Sequence, residues 1–150
     1  MQADVHTAAL QLGDRRFVDD VEKCLERYAL SPELIELELT ETVLVDDFEQ
    51  AKQRLHEFNA AGFRVNLDDF GTGYSSLAHL GELPVDAIKI DRLFTRAIGT
   101  GAISASIVPQ IFTLAGLLGA EVIVEGIETE AQACHLAVEH PDALGQGWFF

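Results

Sequence analysis

The side chains most able to do chemistry stand in or just after short apolar runs. Glu38 lies between Leu37 and Leu39, Asp68-Asp69 follows Leu67, Lys89 lies between Ile88 and Ile90, and Glu125 follows Val124. His6 and Gln146 hold comparable positions near the two ends of the chain. Two carboxylates about 5 Å apart in an effective dielectric near 20 repel by about 3 kcal/mol. Gathering Glu38, Asp68, Asp69 and Glu125 in one mouth would accumulate several such penalties. Either some are protonated, or a divalent cation lies among them. Carboxylate oxygens are hard ligands suited to Mg2+ or Mn2+, with Ca2+ as an alternative. Acidic residues around two metals, with a lysine beside them, form the apparatus for in-line attack on a phosphodiester.

Convergence of those side chains requires elements that run in parallel, and the patterning supplies them. Val5 to Ala8 reads as a first strand, and Arg15 to Tyr28 as a helix with Phe17, Val18, Val21, Leu25 and Tyr28 at helical spacing. Ile35-Glu36-Leu37-Glu38-Leu39-Thr40 alternates with period two, the clearest strand in the chain. Asp46 and Glu49 form a capping box for a helix that ends at Gly62. Strands follow at Phe63–Leu67, Asp86–Ile90 and Glu121–Val124. Between them come a short helix from Ser75, an N-cap at Asp91 and a helix over Ile103–Leu118. Thr129 and Gln132 form a second capping box, and Trp148-Phe149-Phe150 reads as a last strand. Repeated strand–helix units predict an α/β fold with a parallel sheet and outer helices. Such folds place their sites at the carboxyl ends of the strands.

The chain has 150 residues with 10 Lys and Arg against 25 Asp and Glu, a net charge of −15. That balance argues against a nucleic-acid polymer or an anionic membrane as partner, so an anionic substrate needs a local cation to bring it in. The stretch Ala97–Ala120 carries no charge, but its glycines, Pro109 and hydroxyl residues make it a buried helix rather than a membrane span. Cys24 and Cys134 are isolated and fit a reduced, cytoplasmic chain at least as well as one disulfide, and no secretory signal follows Met1. Phe48, Phe58 and Phe63 read as core; His56, His79, His135 and His140 read as surface or helix-end residues.

The run Asp68-Asp69-Phe70-Gly71-Thr72-Gly73-Tyr74-Ser75-Ser76-Leu77 resembles the EAL-domain family of cyclic di-GMP phosphodiesterases. Leu83-Pro84-Val85-Asp86 and Lys89-Ile90-Asp91-Arg92 extend the resemblance. So do Leu37-Glu38-Leu39-Thr40-Glu41, Glu125-Gly126-Ile127-Glu128-Thr129 and Gln146-Gly147-Trp148, in the family's order over residues 5 to 150. The resemblance implies hydrolysis of cyclic di-GMP to linear pGpG on a (β/α)8 TIM-type barrel. It implies that Glu38, Asp68 and Asp69 are divalent-metal ligands, and that Glu125 is a metal ligand or general base. Lys89 is then the contact to attacking water and phosphate, and Gln146 a substrate contact. Glu41 steadies the loop over residues 70–77; Glu128 is either a further loop anchor or only a charge at the start of a helix. A homodimer through that loop, or through exposed strand edges, is a further implication.

Two departures from the family pattern stand out. The tripeptide Glu-Ala-Leu is absent, and His6 takes the place of a metal-binding asparagine. Imidazole favours softer ions than Mg2+. A full barrel takes about 250 residues, so residues 1–150 are expected to form one truncated domain of about six strands. Alongside the phosphodiesterase reading stands an alternative: a catalytically inactive module that binds cyclic di-GMP or a protein partner.

Overall fold

In the computed structural model, which describes residues 3–6, 16–40, 48–71, 80–100 and 102–150, strand and helix alternate along the chain. The elements are β1 (Ala3–His6), α1 (Arg16–Tyr28), β2 (Ile35–Thr40), α2 (Phe48–Ala60), β3 (Arg64–Phe70) and β4 (Ala87–Ile90). They continue with α3 (Arg92–Thr95), α4 (Val108–Leu118), β5 (Glu121–Val124), α5 (Glu130–Glu139) and β6 (Leu144–Gly145). The backbone separates into two units, Met1–Leu67 with Tyr74–Asp86, and Asp68–Gly73 with Ala87–Phe150. The chain passes from the first to the second inside β3. Strand order follows chain order in each: β1-β2-β3 in the first unit, β3-β4-β5-β6 in the second. The α/β class expected from the patterning is therefore present.

In the first unit β1 pairs in parallel with β2, setting Val5 beside Leu37 and His6 beside Glu38 in the register. The four central residues of β2 are buried, so both faces of this strand are covered, as parallel sheets require. Leu37, Leu39, Leu55, Phe58, Phe63, Val65 and Leu67 make the core. Phe58 packs edge-to-face against both Phe17 and Phe63, with centroids 5.7 Å from each. Helix α1 buries Leu25, while Tyr28 is exposed. Helix α2 ends as expected: Gly62 adopts φ 92°, and the Phe63 N–H donates to the Phe58 carbonyl at 3.1 Å. Asp86 grips β3 twice, its carboxylate accepting from the Val65 N–H and its own N–H donating to the Val65 carbonyl, each at 2.8 Å.

The second unit is built on β4, all four residues of which are buried, Lys89 among them. It pairs in parallel with β5, Lys89 beside Ile123 and Ile90 beside Val124, and β5 pairs in parallel with β6. The α-helix expected over Ile103–Leu118 begins only at Val108, preceded by a 3-10 turn at Ile103–Ile107. Pro109 has no N–H to donate and is tolerated only in a first turn, which sets the boundary. Gly119 closes α4 at φ 71°, and both halves of the Thr129–Gln132 capping box are made at α5.

Three sequence expectations shift. β1 begins at Ala3 rather than Val5, with Thr7 and Ala8 outside the described residues, and β3 continues through the two aspartates to Phe70. The last strand is Leu144–Gly145, not Trp148–Phe150. Gly147 lies against the backbone of Ile127, leaving no room for a Cβ, and the Phe150 N–H turns back to the Gly147 carbonyl at 3.4 Å. The chain therefore curls, and Trp148 is 92% exposed. The Asp46 cap, the helix from Ser75, Glu41 and residues 72–77 of the glycine loop lie outside the described residues. No helix among the described residues is long and apolar enough to cross a membrane.

Candidate functional site

Lys89 is the centre of the arrangement. Hydrophobic alternation along Ala87-Ile88-Lys89-Ile90 buries the strand on both sides, and the lysine side chain is only 7% exposed. An ammonium in such surroundings needs anionic partners. Its Nζ lies 2.7 Å from Glu125 Oε1 and 3.8 Å from Asp68 Oδ1. Glu125 is delivered by the β4–β5 ladder, which extends one step past β5 when the Glu125 N–H donates to the Ile90 carbonyl at 3.1 Å. Asp68 arrives from the carboxyl-terminal half of β3 and is 11% exposed in its side chain, against 26% for Glu125.

Asp69, next in β3, adopts the left-handed φ of 53°, and its N–H donates to Asp68 Oδ1 at 2.9 Å. Aspartate tolerates this region better than most residues. Burial comes first in holding its carboxyl above the usual carboxylate range. The negative charges of Asp68, Asp91 and Glu125 and a hydrogen bond to Asp91 act in the same sense. Asp91 also caps α3, its Oδ1 accepting from the Leu93 N–H at 2.7 Å. Its capping role was legible in the sequence; its contact with Asp69 was not, because the two are separated by 22 positions and meet only through the sheet.

Asp68 and Glu125 thus flank the Lys89 ammonium in the second unit, and Asp69, in contact with Asp91, feels the charge of both. Among the described residues no three of His, Cys, Asp and Glu form a ready-made metal cage. The two observations fit together: Lys89 draws Asp68 and Glu125 onto itself, while the uncompensated charge is felt at Asp69. The donor set is all oxygen and carries surplus negative charge, which suits a hard divalent ion such as Mg2+ or Mn2+.

The remaining expected site residues are placed as follows. Gln146 follows β6; its N–H donates to the Val124 carbonyl at 2.9 Å and its carbonyl accepts from the Ile127 N–H at 3.1 Å, with the side chain exposed. Glu128 is exposed and pairs with Arg96 at 3.1 Å. Glu38 is buried at the centre of β2 in the first unit, with His6 as its register neighbour. Sequence reasoning saw Gln132 only as a cap; it also donates to the Thr95 carbonyl at 3.2 Å.

Comparison with known proteins agrees in family. The model of the EAL domain matches residues 1–150. The cyclic di-GMP phosphodiesterase NbdA of Pseudomonas aeruginosa is 37% identical over 150 residues, covering 100% of this chain and 19% of that protein. Among solved structures, the PaMucR phosphodiesterase in complex with c-di-GMP superposes with a TM-score of 0.90 at 36% identity, over 98% of this chain and 59% of that one. The manganese and cyclic di-GMP complex of Klebsiella pneumoniae BlrP1 gives 0.87 at 31% identity, over 99% and 38%. The chain spans between 18% and 36% of the length of the curated relatives it matches.

Proposed function

The chain belongs to the EAL-domain family, and on that premise we propose that it is a divalent-metal-dependent phosphodiesterase that hydrolyses cyclic di-GMP to linear pGpG. The observation that carries the reading is the buried Lys89 held between Glu125 and Asp68. A lysine so placed is a fixed donor for a phosphate oxygen, in a chain whose charge of −15 would otherwise repel the substrate.

In the reaction, water oxygen bonds to phosphorus, the bond from phosphorus to the 3′ oxygen breaks, and that oxygen leaves with a proton. Glu125 is placed to accept the proton that water gives up, and its contact with Lys89 orients the carboxylate for that transfer. Asp68 and Asp69, with Glu125, are the residues that would hold Mg2+ or Mn2+, and the family resemblance assigns Glu38 and His6 as metal ligands too. The ion supplies Lewis acidity toward the phosphate and a lowered pKa of bound water. Gln146 is assigned to the substrate, Glu41 and Glu128 to anchoring the loops.

The match of residues 1–150 to a single family model supports reading them as one domain. A homodimer through residues 70–77 or a strand edge belongs to the same reading, supported at β6, whose residues are exposed. The free, exposed Cys24 and Cys134 support a cytoplasmic location, where thiols stay reduced.

The test is incubation with cyclic di-GMP and Mn2+, following pGpG by chromatography. Turnover that Asp68→Ala abolishes supports the proposal. Binding without turnover would replace it with the inactive-module alternative.

A further inference from the structure

We infer that Gln132 is a positioning residue for Glu125, acting through a clasp between α5 and α3; the inference rests on the reading of Glu125 as a site residue. Gln132 is the third residue of α5, outside the carboxylate cluster. Its Oε1 accepts from the Glu128 N–H at 2.9 Å, the Thr129 N–H at 3.0 Å and the Thr129 hydroxyl at 3.1 Å. Contacts of that kind complete a capping box. The remaining bond does something a cap does not need. Nε2 leaves the helix and donates to the carbonyl of Thr95, the last residue of α3, at 3.2 Å.

That bond closes a ring. From Lys89 the chain runs through Ile90, the Asp91 cap and α3 to Thr95. Helix α5 itself joins Gln132 to Thr129, whose hydroxyl accepts from the Gln132 N–H at 3.3 Å, and Glu128, Ile127 and Gly126 lead back to Glu125. The ring is completed where Glu125 meets Lys89 at 2.7 Å. The segment between is firmly seated. Gly126 takes φ 69° against Arg92, where a Cβ would collide, and the Ile127 N–H is bound to the Gln146 carbonyl. The Arg96–Glu128 ion pair spans the same gap on the exposed side, where solvent screens it. Thr95 is fully buried, and its carbonyl also accepts from the Ile98 N–H at 3.1 Å, so α3 is a fixed post for the clasp.

Two substitutions separate cap from clasp. Gln132→Glu retains an oxygen for the capping box and loses the donor to Thr95. Gln132→Lys retains a donor and loses the cap acceptor. The readouts are the Lys89 Nζ resonance by nitrogen NMR without metal, Mn2+ affinity by paramagnetic resonance, and the thermal midpoint. Gln132→Glu is expected to keep the midpoint, shift the Lys89 resonance and weaken Mn2+ binding about tenfold, the lower end for loss of an outer partner of a ligand. Gln132→Lys is expected to lower the midpoint while leaving the Lys89 resonance in place. A wild-type resonance and wild-type Mn2+ affinity in Gln132→Glu would overturn the inference. Should that variant not fold, a displaced Lys89 resonance in Gln132→Lys would overturn it instead. A shifted resonance in a chain that releases no pGpG would leave the clasp standing and remove the phosphodiesterase reading.

Discussion

At Asp69 the protein carries a cost that metal binding would relieve. The residue sits at φ 53° with its carboxyl held above the usual range by burial and by Asp68, Asp91 and Glu125. A carboxyl raised in the folded state contributes stability at low pH, and this is lost as pH rises from the ordinary value of 3.8 through the folded value. Asp69→Asn removes the charge and still tolerates the left-handed backbone. It is expected to raise the unfolding free energy in chelator at neutral pH, to have no such effect near pH 3.8, and to weaken Mn2+ binding. Asp69→Ala carries in addition a backbone strain of about 1 kcal/mol. Denaturant titrations of the three proteins across pH check both statements. Much at this scale was legible: an acid pair after Leu67, and a lysine inside an apolar run. What was not legible is which acid each base meets. Lys89 could be read as a site residue from Ile88 and Ile90 alone, but its partners Asp68 and Glu125 lie 21 and 36 positions away.

The elements show the same division between local and distant causes. Local chemistry predicted the Thr129–Gln132 cap, the Gly62 and Gly119 stops and the period-two strand at Ile35–Thr40. The aromatic run at 148–150 misled, because its apolarity reads as a strand while a close backbone approach at Gly147 decides its path. Gly147→Ala is accordingly expected to cost about 3 kcal/mol, the upper part of the range for forced overpacking, measured by urea unfolding. His140 is the helix-end residue expected, but its partner was not legible. At the end of α5 its ring stacks on Phe112 of α4, centroids 3.6 Å apart and planes 2° from parallel. Burial holds its pKa below 6.5; the opposing pull of Glu139 is weaker, and the nearby His135 adds to the lowering. A depressed histidine is neutral in the fold, so the stability it contributes is present above 6.5 and lost as pH falls from there through the folded value. His140→Tyr keeps a ring on Phe112 without that titration. Its thermal midpoint is expected to fall less than the wild type's between about pH 7.5 and about pH 5.5.

For the whole molecule, two cores and one surplus of charge set the behaviour. Phe58 is buried between Phe17 and Phe63, and Phe58→Ala is expected to cost about 3–5 kcal/mol. The charge of −15 makes divalent ions stabilising wherever they bind the native state alone. Free Mn2+ at about 100 times its dissociation constant is expected to add about 2.7 kcal/mol, a gain that Asp68→Asn reduces. Fold class was legible from spacing and the family from the resemblance of its motifs, whereas the division into two units at β3 was not, since no composition change marks Leu67-Asp68. In the proposed reaction, hydrolysis would depend above all on the buried Lys89 ammonium meeting phosphate. Its most direct test is the rate of pGpG release under saturating Mn2+ by Lys89→Met, which retains the length of the side chain without its charge. A rate lowered by about 100-fold or more, as for loss of a fixed donor to developing charge, is predicted; wild-type turnover by that variant would contradict it.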